Sequence, residues 1–419
     1  MKEPKKTITA IKGTKDILPD EARKWQRVEA ATKSLFELYG YREIRTPIFE
    51  ATELFEKGTG ETTDVVTKEM YTFMDKGGRS LTLRPEYTPS VVRAIMDNSL
   101  HLKPQPMRYY FIGPMFRYDK PQKGRFRQFH QIDIEVFGEK DPAIDAEIVE
   151  MADTLLRRLK VTKTELLVNS VGCHLCRPAY HGKLKQQAEK VREELCEDCQ
   201  RKVVLNPLRI FDCKVESCRG IADRLPKITD HLCEECAEHF KAFCGYLDLY
   251  GIAFRMEPRL VRGLDYYTKT TFEIISSKLG AQDAILGGGR YDYMMKEFGG
   301  PDICGIGFAM GMERFLSVVP DKAVETRFLY MAYLGEEAKN KGMQLARKLR
   351  KENVECLIEY RERSLGNQMS RANKLGASWV LIIGEEELRK ERYQLKDMKT
   401  GGQKEMTIDN ITSIIRNTD

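Results

Sequence analysis

The sequence predicts an α+β chain: an antiparallel sheet flanked by helices, with an inserted helical cysteine-rich module and a C-terminal α/β domain. Three observations carry this. Residues 71 to 137 and 261 to 315 are rich in short strand patterns. Eight of the 11 cysteines fall between Cys173 and Cys236, in a helical, charged stretch that interrupts that texture. After about residue 325, strand and helix alternate, which implies parallel pairing in a small separate domain. The 419 residues, at roughly 150 per domain, leave room for about three domains. The expected division is 1–169 and 256–324 for the two parts of a core, 170–255 for the insertion and 325–419 for the last domain.

The first element is a helix. Asp20 follows Pro19 and can cap it, Glu21 adds an acid to the first turn, and Trp25, Val28, Leu35 and Tyr39 share one face. Gly40 stops it. Tyr41 to Phe49 reads as a strand whose Pro47 cannot donate to a ladder, so an edge or interface is expected there. Ser80 to Leu83 alternates, and Pro89 to Asp97 reads as a helix. Arg108–Ile112 and Met115–Tyr118 are strands around Gly113-Pro114, and Phe129–Phe137 is another. Between them Asp119-Lys-Pro-Gln-Lys-Gly-Arg125 is a basic hairpin loop. Ala143–Leu159 is an amphipathic helix.

Lys+Arg 69 against Asp+Glu 63 leaves a net charge of only +6, too small to point to nucleic acid unaided. With 42% hydrophobic and 32% charged residues, the composition excludes a disordered or collagen-like chain. Aliphatic runs are short, as in Val380–Ile383, whereas a membrane span needs about 20 apolar residues; no membrane partner is expected. The start, Met1-Lys-Glu-Pro-Lys-Lys-Thr7, is basic without an apolar stretch, so a cytoplasmic protein is expected.

Four polar clusters sit on predicted strands or strand ends: Arg84-Pro-Glu-Tyr-Thr88; Phe116-Arg-Tyr-Asp119 with Arg127–Glu135; Arg262-Gly-Leu-Asp-Tyr-Tyr267; and Gly287–Asp292 with Gly311-Met-Glu-Arg314. Gln131, Asp133 and Glu135 are two apart and face one side of their strand. Such a face is costly to bury without a ligand. Glu86 and Glu135 suit an ammonium, while Arg117, Arg262 and Arg314 suit phosphate oxygens. No phosphate-binding G-x-x-x-x-G-K-[ST] loop and no strand-linked G-x-G-x-x-G is present, so a nucleotide would bind on the sheet through arginines. His130 alternates to the opposite face from Gln131 and reads as structural.

These residues resemble the bacterial-type histidyl-tRNA synthetases, class II aminoacyl-tRNA synthetases, over nearly the whole chain. Lys12-Gly-Thr-Lys-Asp-Ile-Leu-Pro19 is similar to the family's opening signature. The helix ending at Gly40 and the strand with Pro47 resemble motif 1, which builds the dimer interface; Phe116 to Glu135 resembles motif 2, and Gly305 to Phe315 resembles motif 3. Arg262 to Tyr267 resembles the histidine-specific element, the most specific signal. The resemblance implies a class II antiparallel sheet, an anticodon-binding domain at 325–419 and a homodimer. It implies attachment of L-histidine to its tRNA, driven by ATP with Mg2+, through histidyl-adenylate.

It also implies roles. Glu86 and Thr88 would meet the histidine amino group, Gln131 the amino acid, and Glu135 the imidazole or ammonium. Tyr266 belongs to the same histidine-binding set, and Tyr267 and Tyr291 would frame the imidazole. Arg117 would hold the α-phosphate and the substrate carboxylate, and Arg262 the α-phosphate; these two are the catalytic candidates. Arg125 would reach the β- and γ-phosphates, Arg314 would clamp the γ-phosphate, and Lys120 and Gln122 would meet the tRNA acceptor end. Tyr87 and Asp133 stand where the family commonly has Gly. The alternative is a regulatory relative that binds a phosphoribosyltransferase, which typically lacks both the hexapeptide and the C-terminal domain. A synthetase for proline or threonine is disfavoured by the paired tyrosines and Glu135.

The cysteines form the pairs Cys173/Cys176, Cys196/Cys199, Cys213/Cys218 and Cys233/Cys236. The first two pairs have 19 residues between them, a zinc-ribbon spacing. Eight thiols can form two four-thiolate structural Zn2+ sites; reduced core cysteines are the other reading.

Overall fold

The computed structural model describes residues 8–60, 63–119, 124–280, 283–321 and 327–416. The chain divides into two compact units, Met1–Asp321 and Lys322–Asp419.

The strands of the first unit are β1 Arg42–Glu43, β2 Phe49–Ala51, β3 Tyr71–Met74, β4 Ser80–Leu83, β5 Met107–Phe116, β6 Gln128–Phe137, β7 Thr164–Ser170, β8 Arg255–Met256, β9 Thr268–Ser276, β10 Ala284–Arg290 and β11 Gly305–Gly311. Eight of them form one sheet in the order β1-β5-β6-β11-β10-β9-β7-β8. Its central pairings are antiparallel, and only the edge pairs β1/β5 and β7/β8 run parallel. A small antiparallel sheet, β2-β4-β3, stands apart.

Strand alternation decides what each face does. On β6, Ile132, Ile134 and Val136 are buried in a core with Phe272 and Ile274 of β9 and Ile306 and Phe308 of β11. Trp25, Val28 and Leu35 of the helix Pro19–Leu38 join that core, as do Ile148 and Leu155 of Pro142–Arg158 and Phe243 of Glu234–Leu249. Each such side chain is worth about 1.5–3 kcal/mol when fully buried. The odd-numbered residues of β6 are thereby turned to the opposite face, where the candidate site lies.

Two local expectations need correction. The first helix begins at Pro19, with Leu18 at its cap position, so Asp20 lies in the first turn and does not cap. The expected strand over 41–49 is broken into β1 and β2. Pro47 offers no N–H, and side chains replace the ladder. The Arg84 guanidinium donates to the carbonyls of Thr46 and Pro47 at 3.0 and 3.3 Å, and the Tyr87 hydroxyl donates to Ile44 O at 2.8 Å.

The cysteine-rich stretch is helical, with Cys176–Lys190, Glu197–Leu205 and Glu216–Arg224 around a small core of Tyr180, Leu184, Val203, Ile210 and Ile221. The second unit holds β12 Leu329–Tyr333, β13 Cys356–Ile358, β14 Trp379–Ile383, β15 Tyr393–Asp397 and β16 Gln403–Met406, in the order β13-β12-β14-β15-β16. β12 pairs in parallel with both β13 and β14, and β15/β16 is a hairpin, with Gly401 at φ +75° in its loop. Ser364 occupies the cap position of the helix Leu365–Leu375 but makes no side-chain capping bond. Among the described residues, no helix is long and apolar enough to cross a membrane.

Candidate functional site

The site lies on the second face of the large sheet, and its floor is mostly backbone. Across the register, Asp133 on β6 opposes Ala309 on β11, which opposes Gly287 on β10; Glu135 opposes Gly307, which opposes Gly289. The missing side chains leave room that the walls use. A Cβ on Gly287 would meet the Arg262 guanidinium, and one on Gly307 would meet Glu135 Oε2 and the Ile134 carbonyl. The glycines of these strands are therefore where charged side chains cross the floor.

A cavity of about 350 Å³ opens above this floor. Glu86, Thr88, Gln131, Glu135, Tyr266, Tyr267 and Tyr291 line it. So do all four arginines read from the sequence, Arg117, Arg125, Arg262 and Arg314. The four polar clusters, spread over more than half the chain, thus converge. Lys120 and Gln122 lie outside the described residues.

One set of residues forms an acid and tyrosine group. Thr88 Oγ1 donates to Glu135 Oε1 at 2.6 Å, and the Tyr291 hydroxyl donates to Glu135 Oε2. The Tyr266 hydroxyl lies 3.4 Å from Glu86 Oε2, and its ring stands edge-on to Tyr291 at 5.7 Å. Burial, with the charge of Glu135 adding to it, pushes Glu86 up to about 8. Burial likewise raises Glu135 to about 8, while its bonds from Thr88 and Tyr291 pull the other way. Asp133 is held well above the usual carboxylate range by burial and then by Glu135 and Glu86. Glu86 Oε1, Gln131 Oε1 and both Asp133 oxygens are buried without a protein hydrogen bond. Buried acceptors of this kind call for a donor from a ligand, and a cation with several N–H groups supplies it.

The arginines are positioned by backbone and carboxylates. Arg117 Nε donates to Pro85 O at 2.8 Å, with its guanidinium 5.4 Å from the Phe129 ring centre. Arg125 pairs with Asp119 at 2.7 Å, and Arg314 donates to Ala284 O at 3.1 Å. Burial, and then the neighbouring Arg125, pulls Arg314 below its ordinary value. Arg262 pairs with Glu273 and leaves its buried Nε without a protein partner. Cations on one side and buried acids on the other suit a ligand that is anionic at one end and ammonium-bearing at the other.

Residues 13–315 match the sequence model of the histidyl-tRNA synthetases, and residues 329–418 match that of an anticodon binding domain. The chain belongs to the histidyl-tRNA synthetase family. It is 48% identical over 409 residues to the histidine–tRNA ligase of Halothermothrix orenii, covering 96% of this chain and 98% of that protein. It is 49% identical over 413 residues to that of Caldanaerobacter subterraneus subsp. tengcongensis, covering 97% and 99%. The apo crystal structure of S. aureus histidyl-tRNA synthetase superposes with a TM-score of 0.82 at 35% identity, covering 98% of this chain and 100% of that one. A Bacillus halodurans structure described as an ATP phosphoribosyltransferase regulatory subunit/histidyl-tRNA synthetase shares the fold, with a TM-score of 0.67 at 18% identity over 92% of this chain and 100% of that one.

Tyr87 and Asp133, where the resemblance led to an expectation of Gly, take different places beside the site. The Tyr87 ring stacks on Phe111 at 3.7 Å, and its hydroxyl bonds the 44–46 segment. Asp133 does sit in the cavity wall. Sequence reasoning missed Glu273, the partner of Arg262. Its signal was an acid in the apolar strand Phe272–Ile275, opposite Gly287 in the register. His130 is structural: its N–H and Nδ1 bond Glu313, and Trp25 stands edge-on at 4.9 Å.

The cysteines pair differently from the zinc-ribbon expectation. Cys173 and Cys176 join Cys233 and Cys236, while Cys196 and Cys199 join Cys213 and Cys218. One set is nested within the other, because the helices from Cys176 to Arg224 fold back before Glu234 starts the next one.

Proposed function

We propose that this chain is a histidine–tRNA ligase that attaches L-histidine to its cognate tRNA at the expense of ATP. One observation carries the reading: arginines from the end of one strand, two loops and a helix line one cavity over the sheet together with a buried acid and tyrosine group. Histidine binds with its ammonium at Glu86 and Thr88, its side chain against Gln131, Glu135 and Tyr266, and its imidazole framed by Tyr267 and Tyr291. ATP lies toward the arginines, with Arg117 and Arg262 on the α-phosphate and Arg125 and Arg314 on the β- and γ-phosphates. The histidine carboxylate attacks the α-phosphorus, giving histidyl-adenylate and pyrophosphate. A terminal ribose hydroxyl of the tRNA then attacks the acyl carbon and releases AMP.

No protein nucleophile is needed. Arg117 and Arg262 align the two anions and neutralise charge that builds in the transition state. Mg2+ would come with ATP and supply charge neutralisation on its phosphates; Glu69, Asp119 and Glu313 in the same wall carry the carboxylate oxygens that would hold it. Selectivity follows because a side chain unable to match the imidazole nitrogens leaves buried polar groups unpaired.

The finer features belong to the same reading. Lys120 and Gln122 meet the acceptor end, and residues 325–419 bind the anticodon. Residues 1–169 and 256–324 form the catalytic core around an insertion at 170–255. The protein works in the cytoplasm as a homodimer. Exposed Ile48, Phe49, Phe73 and Met74 lie on or beside the small sheet, and an apolar surface of that kind fits a second copy. The two cysteine clusters hold structural Zn2+.

ATP–pyrophosphate exchange with each amino acid in turn tests the activity. Exchange with histidine alone is expected; silence with histidine overturns it in favour of a regulatory relative.

A further inference from the structure

The two cysteine clusters have no part in the chemistry above, yet both reach the same short segment. In each cluster the four Sγ atoms lie within 4.8 Å of one another. Cys173 Sγ is 3.7 Å from Cys176 and 3.8 Å from Cys233, and Cys196 Sγ is 3.9 Å from Cys213. A zinc–sulfur bond of about 2.3 Å puts the corners of a tetrahedron about 3.8 Å apart. The spacing is that of four thiolates on one ion; a disulfide is far shorter, at about 2.05 Å. Backbone N–H groups already point at the sulfurs: Leu175 N at Cys173, Cys233 N at Cys176 and Cys196 N at Cys218, at 3.3, 3.1 and 3.2 Å. Gly172, at φ +65°, turns the chain into the first pair, and a Cβ there would sit 3.0 Å from Cys176 Cβ.

What leaves the clusters is more informative. Arg177, next to Cys176, donates to the carbonyl of Tyr267. Glu235, between Cys233 and Cys236, pairs with Lys269 at 2.7 Å. In the inner cluster, the segment between Cys199 and Cys213 carries Arg209, which pairs with Asp265 at 2.8 Å, and Asn206, which donates to it at 3.3 Å. Residues 265, 267 and 269 are thus held at alternate positions by three arms, two adjoining a cysteine of the outer cluster and one from the segment between two cysteines of the inner cluster. Tyr266 and Tyr267, the residues between and under those arms, line the cavity.

We propose that the two clusters are single-ion zinc sites whose arms fix the Arg262–Tyr267 element in the geometry of the histidine pocket. Arg177, Arg209 and Glu235 are positioning residues that act through this element. The proposal rests on the reading of both clusters as structural zinc sites, and the test separates the two.

Full-length protein purified without chelator is analysed by native mass spectrometry and elemental analysis, then by ATP–pyrophosphate exchange. The expected result is two zinc ions per chain, one for each cluster. The double variant Cys196→Ser/Cys199→Ser retains one ion and raises KM for histidine about tenfold. Arg209→Ala retains both ions, raises KM for histidine by a similar factor with little change in KM for ATP, and is partly rescued by Arg209→Lys. Arg209→Ala also decides the matter if the cysteine variant fails to fold. A metal-free or iron-loaded chain overturns the zinc reading. Two bound zinc ions with an unchanged histidine KM in Arg209→Ala overturn the arms alone.

Discussion

Arg262 and Glu273 form an ion pair beneath the cavity, and the guanidinium occupies the space that a side chain on Gly287 would fill. The pair fixes a cation over bare backbone before any substrate arrives. Arg262→Ala therefore leaves the fold intact and lowers histidine-dependent pyrophosphate exchange by about 10²–10³-fold. Circular dichroism melting checks the fold, and near-normal exchange in the variant contradicts the role given to Arg262.

Gly307 lies directly across the register from Glu135. A methyl group there would run into Glu135 Oε2 and into the fixed Ile134 carbonyl. Gly307→Ala should cost about 1–3 kcal/mol of stability through overpacking and weaken histidine binding at the same time. Denaturant melts and histidine titration by calorimetry measure both, and wild-type values in each assay rule the crowding out.

Burial raises Glu86 and Glu135 from an ordinary value of 4.5 to about 8 in the ligand-free fold. The folded state then binds more protons than the unfolded chain within that window. The stability these groups contribute is complete on the acid side, is lost as pH rises from about 4.5 towards about 8, and changes no further above it. A histidine ammonium favours the ionised carboxyls, so binding at about pH 7 releases protons. Calorimetry in buffers of different ionisation enthalpy reads this release, and Glu86→Gln should remove much of it. Proton uptake, or none, counts against the assignment.

Tyr87 supports the segment that Pro47 prevents from forming a continuous strand. Its ring stacks on Phe111, and Arg84 lies over the Phe111 ring at 4.6 Å. Tyr87→Phe loses the hydroxyl bonds to the 44–46 segment and should cost about 1 kcal/mol. Tyr87→Gly should cost about 3–5 kcal/mol because Phe111 and Arg84 lose their packing partner. Thermal unfolding of both variants tests the ordering; equal losses would place the effect in the hydroxyl.

Much of the site was legible because strand alternation is a local rule. Gln131, Asp133 and Glu135 share a face whatever surrounds them, and hydrophobic Ile132 and Ile134 declare which side is core. The arginines, which line one cavity, were readable from their motifs as cations of one region. Their partners were not, since Glu273 meets Arg262 through a register that no local pattern encodes. Cysteine pairing failed for the same reason. Spacing alone joined Cys173/Cys176 to Cys196/Cys199, whereas helix packing brings Cys233/Cys236 back to the first pair. The strand expected over 41–49 failed at Pro47, where Arg84 and Tyr87, distant in sequence, supply the hydrogen bonds.

The glycine floor also limits how this pocket can change. Gly287, Gly289 and Gly307 offer no atoms to trim or exchange, and adding one at Gly287 or Gly307 collides with a group the site uses. A lineage drifting towards another amino acid would have to work from the rim inward, replacing tyrosines and acids that already lean on one another. A catalyst built this way keeps its choice of substrate because single codon changes underneath it lead nowhere useful.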